Sequence, residues 1–420
     1  MHRILIWDDF KLEDRGGQFG YLYQIHEYLK VFPDDSIVFL SDISDNSVSE
    51  ANRVAGIKTD KNETVFGLKE IIKKNVMVSA LLKKLHSIKD KIVTAYYFCW
   101  GEFRKDDIIL PSGININDFQ FIHFHFNPTA SRFITNHPDY KGKVILTSHC
   151  PCSWTDEHLT YYMPWMRHFR GVALYNECRT YKLVNYLMFP CKEAREAYEK
   201  VPKIRRLFKN NENKFFYVPS AILDKSINVN SMQRYESLGI PDDAFVITFF
   251  GRHNAIKGYD ILTRLGKELL ARYDNLYFLC AGRIDIKPLQ HPRWIELGFI
   301  NNTSELLIQS DLYVLPNRET YFDLITLEVL RAGVKLIMSD TGGNKYFRHF
   351  SDNEIIGVEL FDINDFDQLF ALVEKSIIQK SNDSYMYKRF GSSNRVLYEK
   401  HFIMQKYIDN YHKALDVLCD

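Results

Sequence analysis

Short apolar runs alternate with amphipathic stretches along the whole chain, the pattern of parallel strands joined by crossover helices. In the first half the runs predict strands near residues 4–7, 37–40, 92–98, 119–126, 144–147, 172–174 and 215–218. In the second half they predict strands near 244–250, 276–280, 312–315 and 335–338, with helices over 259–272 and 324–332. Between the two series, Asp224-Lys225-Ser226-Ile227-Asn228-Val229-Asn230-Ser231 is polar and without a clear period, which places a linker near 222–238. The expected fold class is therefore α/β in two domains, 1–222 and 239–392, with a cleft opening at the linker. A last stretch, 393–420, carries Val396, Leu397, Phe402, Tyr407, Ile408, Tyr411 and Leu415 at helix-like spacing.

Composition narrows the partners. The 420 residues suit two domains, each large enough to bury its own core. A hydrophobic share of 46%, a charged share of 25% and a net charge of +1 describe an ordinary globular protein with no whole-molecule attraction to nucleic acid, so nucleic acid is not an expected partner. The seven cysteines are scattered and lack the paired spacing of a zinc site, and Cys150-Pro151-Cys152 is not the redox spacing. No metal is expected. The first apolar run after Met1 is too brief for a signal-peptide core or a membrane span, and a cytoplasmic protein, with the inner face of the plasma membrane as an alternative location, is expected.

Two segments carry the chemistry. Gly251-Arg252-His253-Asn254-Ala255-Ile256-Lys257-Gly258 ends a predicted strand and opens a predicted helix. Arg252 and Lys257 thereby meet in front of a helix N-terminus, where a guanidinium fork and an ammonium neutralise a diphosphate without a metal. A solvated basic turn has the same composition. Further on, Asp323 reads as an N-cap and Glu328 stands among Leu324, Ile325, Leu327, Val329 and Leu330. Burying that carboxylate costs several kcal/mol unless it is hydrogen-bonded, and two vicinal ribose hydroxyls satisfy it. The rival reading is an exposed glutamate on an amphipathic helix.

Taken in order, Gly251-Arg252 with Lys257-Gly258, Gly298-Phe299-Ile300, residues 310–317, Glu328 with Arg331-Ala332-Gly333, and Thr341-Gly342-Gly343 resemble the C-terminal half of the retaining glycosyltransferases of family 4. The resemblance implies the GT-B fold, two Rossmann-like domains facing across a cleft, with the C-terminal helix crossing back to the N-terminal domain. It implies a nucleotide-sugar donor on the second domain, a UDP-sugar favoured over a GDP-sugar, and no further cofactor. By the same resemblance Arg252 and Lys257 would hold the diphosphate and Glu328 the ribose. Thr320, Tyr321, Phe322, Asp323 and Leu324 form the donor-sugar segment. In the family an earlier glutamate stands eight positions before the ribose glutamate; here that position is Thr320, with Glu319 one residue early and Asp323 in place of the usual glycine. Either a one-residue shift brings Glu319 into the catalytic role, or Thr320 serves as a neutral hydrogen-bond partner.

In the first half, Gly16 and Gly17 follow the first strand and enter a helix, where backbone approaches a ligand closely. The resemblance sets this loop beside the donor. The spacing is not that of a dinucleotide fingerprint. His123 and His125 share one face of a strand; His123 reads as polar core, and His125, nearer the strand's C-terminal end, as an acceptor-site residue. His149 matches a strand-end histidine common in the family and is assigned to catalysis and the acceptor.

Two basic segments, around 68–85 and 200–209, alternate apolar and cationic residues. Peripheral contact with an anionic membrane and packing on their own domain both fit. The expected activity is transfer of a sugar to a hydroxyl of a glycan or lipid-linked saccharide, in bacterial surface polysaccharide synthesis. A catalytically silent GT-B accessory protein, prompted by Thr320, and a sugar-nucleotide epimerase are the rivals.

Overall fold

The computed structural model describes residues 2–8, 12–14, 17–43, 114–225, 238–300 and 303–419, with 88–89, 91–93, 95–96, 98–100 and 235. Among them the apolar runs become two parallel sheets. The first holds β1 (Ile4–Trp7), β2 (Ile37–Phe39), β3 (Phe121–Phe124), β4 (Lys143–Thr147), β5 (Tyr186–Phe189) and β6 (Phe215–Tyr217) in the order β2-β1-β3-β4-β5-β6. The second holds β7 (Phe245–Phe250), β8 (Leu276–Ala281), β9 (Trp294–Glu296), β10 (Leu312–Leu315), β11 (Lys335–Ser339) and β12 (Val358–Phe361) in the order β12-β11-β10-β7-β8-β9. The central strands β1, β3, β7 and β10 are buried along their whole length, as continuous apolar runs in a sheet covered on both faces must be.

Helices α1 (Gly17–Val31), α2 (Asn127–Asn136), α3 (Arg170–Leu183) and α4 (Pro202–Lys209) belong with the first sheet, and α5 (Tyr259–Leu270), α6 (Leu324–Ala332), α7 (Phe366–Asn382) and α8 (Ser384–His401) with the second. The tail is not one helix. It breaks at Phe402, whose carbonyl accepts from the Ile222 amide at 3.2 Å. It then resumes as α9 (Met404–Val417). Met404, Tyr407, Ile408, Tyr411 and Leu415 of α9 pack with Ile4, Ile6 and Tyr21, so the chain's last helix returns to the first sheet as expected.

Two expected strands are helical. Residues 172–174 lie inside α3, where Ala173, Asn176, Glu177, Thr180 and Tyr181 are buried and Val172 and Tyr175 exposed; the period of 3.6 over the longer window outweighs the local apolar run. The described residues of 92–98 are also helical, with Ala95, Phe98 and Cys99 packed on Leu159 and Met166. In the other direction β5, β9 and β12 were not predicted, being runs of only three or four residues. No described helix is long and apolar enough to cross a membrane. The basic segment 68–85 lies outside the described residues.

Asp8, at the end of β1, accepts from the Ser41 amide at 3.0 Å through one carboxylate oxygen, and its other oxygen is buried without a partner. Burial pushes its carboxyl up to about 7. Between about pH 4 and 7 only the native chain holds this proton, so the group's contribution to stability falls as pH rises, by at most about 1.4 kcal/mol per pH unit, and is gone above the raised value. Asp8→Asn is expected to flatten the midpoint of thermal unfolding over that window relative to wild type.

Candidate active site

In each sheet the strand order reverses beside its first strand, between β1 and β3 and between β7 and β10. Ligands of open α/β sheets bind at such crevices, beyond the strands' carboxyl ends. The loops after β1, β3 and β4 face those after β7, β8 and β10 across one cleft of about 720 Å³.

On the second domain's side, the turn 251–258 after β7 is held by the chain's own hydrogen bonds. Asn254 Oδ1 accepts from the Lys257 amide at 2.9 Å, and the Ile256 carbonyl accepts from the Arg318 amide at 2.8 Å. Gly258 closes the turn at φ 64°, and a Cβ there would lie 1.8 Å from the Pro316 carbonyl oxygen. No other residue fits so close to backbone. Gly258→Ala is expected to cost more than about 2 kcal/mol in denaturant unfolding, since it combines a left-handed φ with a backbone clash.

The turn delivers its two cations to the cleft. Arg252 donates through Nη2 to the Tyr162 hydroxyl at 2.8 Å and lies 5.5 Å from that ring's centre. Lys257 Nζ is 2.5 Å from Asp323 Oδ2, which also accepts from Asn317 Nδ2 at 2.5 Å. Asp323 stands at the N-cap position of α6, but its side chain makes no cap bond; Lys257 and Asn317 outcompete the helix amides for it. Glu328, half-buried in the cleft wall, accepts from the Thr303 hydroxyl at 2.5 Å, and burial raises its carboxyl above the usual range. The reading of an exposed glutamate on an amphipathic helix therefore does not hold.

On the first domain's side three histidines stand in contact. His123 is polar core: its Nδ1 pairs with the Tyr411 hydroxyl at 2.8 Å and its Nε2 with the Thr147 hydroxyl at 2.7 Å. His125 Nδ1 and His149 Nε2 share a hydrogen bond of 2.9 Å, and His125 Nε2 is buried without a partner. Burial depresses all three, His123 and His149 to about 3 and His125 well below its usual value. At neutral pH they are uncharged hydrogen-bonding groups.

Of the residues read from sequence, Gly17, His125, His149, Arg252, Lys257, Tyr321, Asp323, Leu324 and Glu328 all line this cleft. Gly16 lies outside the described residues. Glu319, Thr320 and Phe322 are not among the lining side chains. Glu319 pairs with Lys200 of the first domain at 2.8 Å. Thr320 is fully buried with its hydroxyl unpartnered, and Phe322 packs against Tyr346, Phe347 and Phe402. Sequence reasoning missed Tyr162 and Thr303, which hold Arg252 and Glu328 in place, and the cleft-lining Trp154, His158 and Tyr161. Only a local cluster of aromatic residues at 154–162 signalled the last three. Among the described residues no group of three or more His, Cys, Asp or Glu side chains is arranged to hold a metal.

Residues 244–374 match the glycosyl transferases group 1 family. The match runs from the start of β7 into α7 and contains Arg252, Lys257 and Glu328. Among curated proteins, the chain is 29% identical over 119 residues to the uncharacterized glycosyltransferase MJ1607 of Methanocaldococcus jannaschii, covering 26% of this chain and 30% of that protein. It is 24% identical over 157 residues to the O-antigen biosynthesis glycosyltransferase WclY of Escherichia coli, covering 33% of this chain and 43% of the relative. The chain thus spans less than half the length of these relatives. Solved structures align over nearly its whole length. The sucrose-phosphate synthase of Thermosynechococcus elongatus superposes with a TM-score of 0.59 at 15% identity, over 100% of this chain and 99% of that one. Anabaena HepE in complex with UDP superposes with a TM-score of 0.59 at 11% identity, over 99% and 100%. These likenesses show the fold, which is GT-B.

Proposed function

We propose that this chain is a retaining glycosyltransferase of the family 4 type, which moves a sugar from a UDP-sugar to a hydroxyl of a surface glycan or lipid-linked saccharide without a metal. The observation that carries the reading is the convergence of Arg252, Lys257 and Glu328 on one cleft opposite His125 and His149. A diphosphate entering the cleft exchanges with the Tyr162 hydroxyl on Arg252 and with Asp323 on Lys257, and the ribose hydroxyls donate to Glu328. As the bond from the anomeric carbon to the phosphate oxygen breaks, charge builds on the departing diphosphate, where the two cations stabilise it more than in the ground state. The acceptor oxygen bonds to the anomeric carbon on the face the diphosphate leaves. Its proton passes to the leaving phosphate oxygen, which retains the anomeric configuration. The neutral His149 serves as a hydrogen-bonding partner for donor or acceptor rather than as a charge.

The HepE complexes with UDP and with UDP-glucose support the base and donor, and the named role of WclY supports a surface polysaccharide. One observation favours the silent accessory reading instead: Thr320 holds the place of the family's first glutamate and is buried, while Glu319 is engaged by Lys200. Nucleotide release separates the two. The protein is incubated with UDP-, GDP- and ADP-sugars in the presence of chelator, with water standing in as the accepting hydroxyl and early NMR of the freed sugar. Release of UDP with a retained anomer is expected. Release of none of the nucleotides favours the accessory protein, and an inverted anomer removes the retaining mechanism.

A further inference from the structure

Among the described residues three acids line the cleft, Glu157 on the first domain and Asp323 and Glu328 on the second. Under the proposed function Glu328 belongs to the ribose. Neither Thr320 nor Glu319 turns into the cleft to meet the sugar. The Thr320 carbonyl accepts from the Gly343 amide at 3.2 Å, and a Cβ at Gly342 would lie 2.2 Å from that same oxygen. Backbone packed so closely fixes the register of the segment. A shift by one residue is blocked, so the Thr320 side chain stays in the core and Glu319 stays on Lys200.

Asp323 is placed differently. Both bonds to its carboxylate fall on Oδ2, from Lys257 Nζ and Asn317 Nδ2 at 2.5 Å each, and Oδ1 takes none. Asn317 is fully buried, and its carbonyl accepts from the Ser339 and Thr341 hydroxyls at 2.5 and 3.0 Å. Its amide is thereby held behind the carboxylate. One oxygen of Asp323 is anchored and the other is left for a ligand, beside the ammonium assigned to the leaving diphosphate. A carboxylate repels phosphate oxygens. The part of a nucleotide sugar that adjoins the diphosphate and can donate to a carboxylate is the sugar, through its hydroxyls.

Each cation of the cleft wall and of the adjoining turn has a partner. Arg252 and Lys257 are assigned to the diphosphate, and Arg283, the third Arg or Lys side chain lining the cleft among the described residues, pairs with Asp285 at 3.3 Å. Arg318 donates a two-bond fork to Asp260 at 2.6 Å each, and Lys200 pairs with Glu319 at 2.8 Å. An acidic sugar would meet the Asp323 charge with no cation set aside to balance its own.

We infer that Asp323 selects the donor sugar: Oδ1 accepts from the sugar hydroxyls, and its charge turns away sugars that carry a carboxylate. The donors are neutral UDP-hexoses and not UDP-uronates. Like charge opposed at contact range is a repulsive element, which discriminates between near-identical ligands more sharply than an added attraction. The inference rests on the proposed donor site and adds to it the class of sugar.

Isothermal titration of the full chain tests it with UDP and with two pairs of donors that differ only at carbon 6, UDP-glucose with UDP-glucuronate and UDP-galactose with UDP-galacturonate. Wild type is expected to bind each neutral donor about tenfold or more tightly than its uronate. In Asp323→Asn that ratio is expected to fall below about threefold, while UDP itself binds no more weakly than to wild type, because Lys257 no longer has to leave a carboxylate. A damaged fold would weaken UDP as well. Asp323→Ala, which lacks the acceptor, is expected to lose affinity for the neutral donors relative to UDP. The inference is overturned if wild type binds a uronate as tightly as its neutral partner, or if Asp323→Asn keeps the wild-type ratio. With UDP bound, either of those results leaves the donor cleft standing. No nucleotide bound by wild type removes the cleft assignment and this inference with it.

Discussion

Lys257→Ala is expected to reduce turnover by roughly 10²–10³-fold while leaving the unfolding midpoint nearly unchanged. Lys257 is partly exposed, and its ion pair with Asp323 sits at the cleft wall, where such pairs contribute little to folding. Its removal leaves Asp323 accepting from Asn317, so the carboxylate is not stranded. What is lost is the ammonium that faces charge developing on the leaving diphosphate. An interaction of that kind lowers kcat and kcat/KM together rather than raising KM alone. Steady-state rates at saturating donor check this, with the folded state followed by circular dichroism. A variant with wild-type turnover would remove the diphosphate assignment even though the fold stands.

Glu328→Gln is expected to move two quantities in opposite directions. In the free protein the buried carboxylate is held above its usual range, so its ionised form costs stability at neutral pH, a cost that accrues as pH rises from the unfolded value through the native one. The neutral amide still accepts from Thr303 and escapes that cost, which raises the unfolding midpoint of the free chain. The nucleotide loses a charged acceptor for two ribose hydroxyls, and hydrogen bonds to charged groups contribute about 1.5–3 kcal/mol each. Nucleotide affinity should therefore fall by at least about tenfold. In wild type the same affinity should weaken as pH drops through the raised value and the carboxyl takes up its proton. A variant less stable than wild type when free, or equal to it in nucleotide affinity, contradicts the assignment.

What could be read from the chain follows physical range. The strands at the centres of the sheets were legible because a strand buried on both faces must be a continuous apolar run, as Phe245–Phe250 is. Of the cleft residues at the ends of such strands, His125 followed from strand position, and Arg252 from its pairing with Lys257 before a helix and from the family resemblance. Residues 172–174 misled because three apolar residues satisfy a strand as well as a helix turn, and only the buried positions of α3 over a longer window decide. The partners of the site residues were not legible at all. Tyr162 meets Arg252 across two domains, and Thr303 meets Glu328 across two elements, contacts that no local pattern encodes. Phe322 is the converse: it lies within the donor segment, yet a large ring beside Phe347 and Phe402 finds more apolar surface in the core than in the cleft.

The proposed function requires the cleft between the two sheets to hold a nucleoside diphosphate sugar. The most direct test is thermal unfolding of the full chain against UDP, GDP, ADP and their sugar conjugates, because a ligand that binds only the native state raises the midpoint by mass action. A rise with UDP and UDP-sugars, smaller in Glu328→Gln at the same nucleotide concentration, is the predicted result. No rise with any nucleotide, or a rise that Glu328→Gln retains in full, would contradict it.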